Sequence, residues 1–330
     1  MKSNKVLITG GTGFIGSNLI RFFLSKGFEV STTVRQSSNL WRIADISDKI
    51  KKFNVDLNDS NMVSKLFKTV KPSVIIHTAA FGGYHFESNF NSIISTNFNA
   101  TVNLVEAYIN SECELFINTG SSSEYGFKDS PMSENNPIDP LGAYAVSKAA
   151  ATMYCRSRSI EENRKIVTFR LFSAYGDYEE AHRLIPYLIT SALNKRKANL
   201  NNPNSKRDFI YIEDINNAYL RLIEVIDKLD DGEIFNLGSG KESTISDVVD
   251  KVAELFKEGI DIEWSGKNGR ISDKAKHWVA STNKLNSITG YTPRYSLKEG
   301  LNKTYEWFSK NIEKYEVIEN SKFKKFSKGN

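Results

Sequence analysis

A glycine-rich run near the start of the chain constrains its fold more than any other feature. Lys5–Thr9 (KVLIT) has the apolar, unalternating composition of a strand covered on both faces. Gly10, Gly11, Gly13 and Gly16 follow directly, and Ser17–Ser25 then repeats apolar residues at helical spacing. Glycine in such a turn permits a tight reversal and lets the backbone approach a ligand. The helix that follows offers free N–H donors and the positive end of its dipole. A diphosphate is the ligand this arrangement suits, and Gly10, Gly13, Phe14, Ile15 and Gly16 are the candidate positions for it.

The same rhythm continues downstream. Glu29–Val34, Lys52–Val55, Ser73–His77, Leu115–Asn118 and Ile166–Leu171 read as strands. Ser60–Thr69, Ile94–Asn110 and Tyr144–Glu162 read as helices between them. Repeated strand–helix units imply right-handed crossovers and a Rossmann-type, doubly wound parallel α/β sheet. After about Phe172 helical patterns dominate, with isolated strands at Phe209–Ile212 and Ile234–Leu237. The expected division is a dinucleotide-binding domain over 1–172 and a smaller mixed α/β substrate-binding region over 173–330. Part of 208–240 is expected to return to the first domain.

The end of the second strand selects the cofactor. An acid there would accept from the adenosine ribose 2′-hydroxyl and mark NAD. Val34 holds that place and Arg35 follows, with Ser37 and Ser38 behind it. A guanidinium fork with hydroxyl donors suits a 2′-phosphate, so the expectation is NADP rather than NAD.

Tyr144 and Lys148 lie four residues apart in YAVSK and share one face of a helix. A phenol titrates near pH 10, too high for a general base. An ammonium about 4 Å away, at an effective dielectric of about 20, would contribute roughly 4 kcal/mol, or about three pKa units. Upstream, Ser121-Ser122-Ser123 follows a strand end, where a hydroxyl could bond the reacting oxygen.

These pieces together resemble the extended short-chain dehydrogenase/reductase family, in its nucleotide-sugar epimerase/dehydratase branch. The matching segments are TGGTGFIG, VDL at 55–57, IIHTAA at 75–80 and STNFNATVNLVEA at 95–107. SSSEYG at 121–126, YAVSK at 144–148, RLFSAYG at 170–176, RDFIYIED at 207–214 and FNLGSG at 235–240 follow in the family's order. The resemblance implies that Tyr144 is the acid/base, that Ser121 is the catalytic hydroxyl, and that Lys148 binds the nicotinamide ribose and lowers the tyrosine pKa. It implies adenine contacts from Asp56 and Leu57, a cofactor wall from Ala79 and Ala80, and a structural role for Asn97. Arg35 and Ser38 would take the 2′-phosphate. Arg207 and Arg270 match positions that hold a substrate diphosphate. Ser122, Ser123, Glu124 and Ser173 fall at substrate-facing positions.

The sequence departs from the family pattern at Ser173, where relatives carry Asn, and at 122–124. Ungapped alignment puts serines where 4,6-dehydratases carry an acid, and Glu124 where an apolar residue is usual. A shift by one residue makes Ser122-Ser123-Glu124 resemble the Thr-Ser-Glu of GDP-mannose 4,6-dehydratases. The loop Phe81–Ser88, with Tyr84, His85 and Glu87, has no assigned role.

The implied reaction is hydride transfer at sugar C4, by an epimerase or 4,6-dehydratase on a nucleotide-diphosphate sugar. An NADPH-dependent 4-keto-sugar reductase and a non-catalytic dinucleotide-binding protein are the alternatives. Composition narrows the setting. The net charge of +5 owes something to Lys322, Lys324, Lys325 and Lys328 in the tail, so nucleic acid is not an expected partner. No apolar stretch reaches membrane-spanning length, the two cysteines form no disulfide framework, and no metal-ligand spacing occurs. A cytoplasmic enzyme without a leader is expected. The resemblance also implies a homodimer, in which the helices corresponding to 89–110 and 144–162 pair across a two-fold axis; apolar stripes including Ile93, Phe98, Val102 and Val105 on one and Val146, Ala150, Met153 and Tyr154 on the other would be buried there.

Overall fold

A computed structural model describes residues 3–83, 87, 89–265 and 275–326, the stretch 316–326 as helical backbone. Strands β1 (Lys5–Thr9), β2 (Glu29–Val34), β3 (Lys51–Asn54), β4 (Val74–His77), β5 (Leu115–Ser121) and β6 (Ile166–Leu171) form one parallel sheet. A late strand joins it, and the spatial order is 234–237, β6, β5, β4, β1, β2, β3. Alternate residues of each strand enter different cores. Val6 and Ile8 pack on one side with Val74, Ile76, Leu115 and Ile117. Leu7, Ile75 and Phe116 pack on the other. Two covered faces are why these strands read as unbroken apolar runs.

Helices α1 (Phe14–Ser25) and α2 (Ser60–Val70) cover opposite faces. Asp59 caps α2 by accepting from the Asn61 and Met62 amides. The predicted helix over 94–110 is longer and interrupted. It consists of α3 (Phe90–Ile94), a π-helical turn at Ser95–Asn99 and α4 (Ala100–Ile109). Helix α5 (Ala143–Glu162) packs against α3, the π turn and α4.

Past β6 the chain makes β7 (Ser173–Tyr175), α6 (Leu184–Leu193), β8 (Ala198–Leu200) and β9 (Lys206–Tyr211). Then α7 (Ile212–Glu224) packs beside α1, and β10 (Ile234–Leu237) pairs in parallel with β6. The return therefore uses α7 and β10, while β9 stays in a separate sheet with β7 and β11 (Glu242–Thr244). Helix α8 (Ile245–Ala253), β12 (Ile262–Trp264), α9 (Asn283–Thr289) and α10 (Leu297–Phe326) complete the smaller region, and β12 pairs with β8. Strand order reverses between β1 and β4, which opens a crevice at the carboxyl edge of the sheet.

The two apolar stripes differ from the expectation in part. Ile93 and Val105 are buried within the subunit, whereas Val146, Met153 and Ile160 remain exposed along α5, seven residues apart. Phe90 is 60% exposed at the start of α3.

Candidate active site

The crevice after β1 is shaped by the absence of side chains. Gly10 has φ +70°, and a Cβ there would stand 2.6 Å from the Ala79 nitrogen. A Cβ on Gly16 would stand 2.3 Å from the Gly10 carbonyl oxygen. Glycine at both positions lets β1, α1 and the segment after β4 meet. Gly13 caps α1 without a side chain, so the first-turn donors of Phe14, Ile15 and Gly16 stay uncapped by any side chain. Gly10, Gly13, Arg35, Ser38, Asp56, Leu57, Ala79 and Ala80 line a cavity of about 190 Å³. Phe14, Ile15 and Gly16 stand behind it as the helix start. The Arg35 amide donates to the Ser38 hydroxyl (2.8 Å) and the Ser38 amide to the Arg35 carbonyl (2.9 Å), which closes a turn at the cavity edge. The Asp56 carboxylate accepts from the Asn58 amide (3.0 Å). An uncapped helix start, a glycine cradle and a basic turn fit a dinucleotide diphosphate and its adenosine ribose. Below the crevice His77 is buried between the hydroxyls of Thr9 (2.7 Å) and Thr101 (3.0 Å). Burial, with the Lys148 charge, depresses its pKa to about 3, so the ring is a neutral strut.

Strand β5 ends at Ser121, and Ser122–Tyr125 turn as a short 3₁₀ helix. Helix α5 begins after Gly142, at φ +87°, and carries Tyr144 and Lys148 toward that strand end. The π turn seats α5. The Asn97 side-chain amide donates to the Ser147 hydroxyl (2.9 Å) and the Phe81 carbonyl (2.7 Å), and its oxygen accepts from the Phe81 amide (2.8 Å). Ser147 lies between Tyr144 and Lys148, so Asn97 fixes the turn that bears both.

Tyr144 is half-buried and Lys148 is buried. The Tyr144 phenol is raised above the ordinary tyrosine value, contrary to the expected lowering by Lys148. Burial dominates; a hydrogen bond to Ser121 and the charge of Arg183 oppose it. Burial likewise lowers the Lys148 pKa, and the Glu124 carboxylate opposes that shift. The ammonium thus sits in the field of Glu124, deeper than the phenol.

The model of the NAD dependent epimerase/dehydratase family matches residues 6–238. The chain belongs to that family. Mouse dTDP-D-glucose 4,6-dehydratase is 27% identical over 332 residues, covering 96% of this chain and 92% of its own length. The dTDP-glucose 4,6-dehydratase of Bacillus anthracis, solved in complex with NAD, superposes with a TM-score of 0.83 at 25% identity, over 95% of this chain and 99% of its own. MoeE5, solved with UDP-glucuronic acid and NAD, gives 0.81 at 27% identity over 93% and 99%. The protein is therefore an NAD(P)-dependent enzyme of the epimerase/dehydratase kind.

In this epimerase/dehydratase the substrate-side candidates divide. Ser173 and Arg207 line a cavity of about 450 Å³, with Arg183, His182, Tyr187 and Asn199. The Arg207 guanidinium also lies over the Trp278 ring, 5.5 Å from its centroid. Ser122 and Glu124 do not face that cavity. The Ser122 hydroxyl is buried and accepts from the Trp278 indole N–H (3.1 Å). Glu124 is 0% exposed, and its carboxylate accepts from the Ser121 amide (2.8 Å), the Thr152 hydroxyl (3.0 Å) and Arg170 Nε (2.9 Å). The one-residue shift that placed Glu124 against a sugar is corrected by this inward direction. Ser123 stays at the surface of the turn, its hydroxyl 2.7 Å from that of Ser121. Trp278 carried no sequence signal of its role, because its contact with Ser122 joins residues 156 apart in the chain. Arg270, Tyr84 and His85 lie outside the described residues. Glu87 accepts from the Gly82 amide (2.9 Å). A Cβ on neighbouring Gly83 would stand 3.8 Å from the Tyr144 ring. No cluster of His, Cys, Asp or Glu suited to a metal occurs among the described residues. No described helix is long and apolar enough to cross a membrane.

Proposed function

We propose that this enzyme oxidises C4 of a nucleotide-diphosphate sugar and returns the hydride within one catalytic cycle, as an epimerase or 4,6-dehydratase, with NADP as its preferred cofactor. The observation that carries this reading is the position of β5. In the sheet β5 lies between β4, whose end borders the cofactor crevice, and β6, which leads into the lining of the 450 Å³ cavity. Ser121 and Tyr144 meet there. NADP, when bound, supplies the hydride acceptor at C4. Tyr144 Oη takes the proton of the C4 hydroxyl as the ketone forms and, in an epimerase, gives it back when C4 is reduced again. Ser121 donates to the same oxygen, and the Lys148 ammonium favours the phenolate. Arg207 and Ser173 face the sugar nucleotide. The sugar nucleotides named for the relatives, dTDP-glucose and the UDP-glucuronic acid bound to MoeE5, have the diphosphate that Arg207 suits.

In this reading 1–172 with the returning α7 and β10 hold the cofactor, and 173–330 hold the substrate. The basic turn at Arg35 and Ser38 favours a second reading, net reduction of a 4-keto sugar by free NADPH. The exposed apolar face of α5, with Phe90, fits a second copy of the chain as an isologous dimer. Two buried free cysteines, Cys113 and Cys155, suit a reducing cytoplasm. Incubation with dTDP-, UDP-, GDP- and CDP-linked sugars, followed by mass analysis, separates the chemistries. A new isomer of unchanged mass, resolved by chromatography, marks an epimerase, loss of water a dehydratase, and gain of two hydrogens on a 4-keto sugar with NADPH consumed a reductase. Absence of product and of any nicotinamide absorbance change with every sugar would contradict the proposal.

A further inference from the structure

Burial of the Glu124–Arg170 pair is not explained by stability. Glu124 is 0% and Arg170 2% exposed, and their bridge is 2.9 Å long. Desolvating two charges costs about as much as their attraction returns, and well-packed apolar residues commonly do as well or better. An ion pair in such a place needs another reason, and its hydrogen bonds supply one.

The Glu124 carboxylate joins three elements. One oxygen accepts from the amide of Ser121 at the end of β5 and from the hydroxyl of Thr152 on α5. The other accepts from Arg170 on β6. Thr152 follows Tyr144 and Lys148 at successive four-residue steps, so all three share one face of α5. Space for the carboxylate is built into the strand, since a Cβ on Gly120 would stand 2.6 Å from the Glu124 oxygen. Gly120 also pairs in register with Arg170. The far side is braced: the Arg170 guanidinium lies 4.5 Å from the Tyr125 ring centroid, and the Tyr125 hydroxyl donates to Asn236 on β10 (2.7 Å).

We propose that Glu124 is a positioning residue, which sets the separation of the Ser121 hydroxyl from the Tyr144–Lys148 face by tying the β5 terminus to α5 from inside the protein. Hydrogen bonds are directional where apolar packing is not, so a charged bracket fixes a register that a leucine would leave loose. The negative charge also opposes deprotonation of Lys148, which helps keep the cation in place. This role rests on the assignment of Ser121, Tyr144 and Lys148 as the reacting groups.

Thr152→Val tests it, since the substitution keeps the shape and the ion pair and removes one bond of the bracket. With the sugar nucleotide selected by the panel above, kcat should fall about tenfold or more, while KM and NADPH affinity, read by nicotinamide fluorescence, change less than about twofold. Thr152→Ser keeps the hydroxyl and should recover most of the loss. If Thr152→Val does not fold, Glu124→Gln combined with Arg170→Gln removes both charges together and should show the same split between kcat and KM. Unchanged kcat with a lowered melting temperature in the folded variant would overturn the positioning role. Tyr144→Phe, assayed in parallel, keeps the two ideas apart. Retained turnover there defeats the assignment of the reacting groups. Turnover lost with Tyr144→Phe but intact with Thr152→Val defeats the role of Glu124 alone.

Discussion

The crevice after β1 and the proposed catalytic floor after β5 lie along the same edge of one sheet and are built by opposite means. The crevice is defined by missing side chains: glycines at 10, 13 and 16, a helix start with no side-chain cap, and exposed polar residues at its rim. The floor is defined by buried charge, with Lys148, Glu124 and Arg170 withdrawn from solvent around a half-buried tyrosine. A diphosphate is met by backbone donors that need no desolvated side chain. Proton transfer needs groups whose affinities are moved by burial and by neighbours. The crevice should therefore break when atoms are added, and the floor when single polar atoms are removed.

Gly16→Val has the largest expected effect on the crevice. Its Cβ would fall 2.3 Å from backbone, so the loop must move. Dinucleotide affinity should drop at least about a hundredfold, about 2.7 kcal/mol, with the fold retained by circular dichroism. Binding unchanged in a titration would mean that the cofactor lies elsewhere.

Buried carboxyls past β6 extend the contrast to stability. Burial raises the Glu179 pKa to about 8, against the opposing Arg183 charge, and the Asp177 pKa to about 7, where nearby Glu213 adds to the rise. Each group holds a proton in the folded protein where the unfolded chain has released it. Stability should accordingly fall as pH rises from 4.5 to about 8 for Glu179 and from 3.8 to about 7 for Asp177. The slope is about 1.4 kcal/mol per pH unit for each group. Denaturant midpoints across that range should show the decline, and Glu179→Gln should flatten it.

Arg35→Ala is the smallest and sharpest test of the crevice. It should weaken NADP binding about tenfold, about 1.4 kcal/mol, and leave NAD binding unchanged. Equal losses for both dinucleotides would remove the 2′-phosphate from the account.

The contrast also explains what the sequence made legible. β1, β4 and β5 were readable because both faces are covered and their apolar runs are unbroken. The strands at 173–175, 198–200 and 242–244 have only three residues each, too few to show a period. The π turn at Ser95–Asn99 leaves the helical pattern intact on either side and so passed as a continuous helix. Gly13 and Gly16 were legible because their constraint is local, against Gly10 a few residues away. The direction of Glu124 was not, since its partners Thr152 and Arg170 lie 28 and 46 residues away. The expected lowering of the Tyr144 pKa failed for a related reason. The i, i+4 spacing gave the two groups a shared face but said nothing of the burial that raises the phenol.

The central claim is that Tyr144 moves the proton while the crevice holds the dinucleotide. Tyr144→Phe removes one hydroxyl and almost no volume, so it is the most direct test, read as turnover over a pH series beside NADPH fluorescence titration. The account predicts turnover reduced at least about a hundredfold at every pH, with NADPH affinity within about twofold of the unsubstituted enzyme. Turnover within tenfold of the unsubstituted enzyme across the series would contradict it.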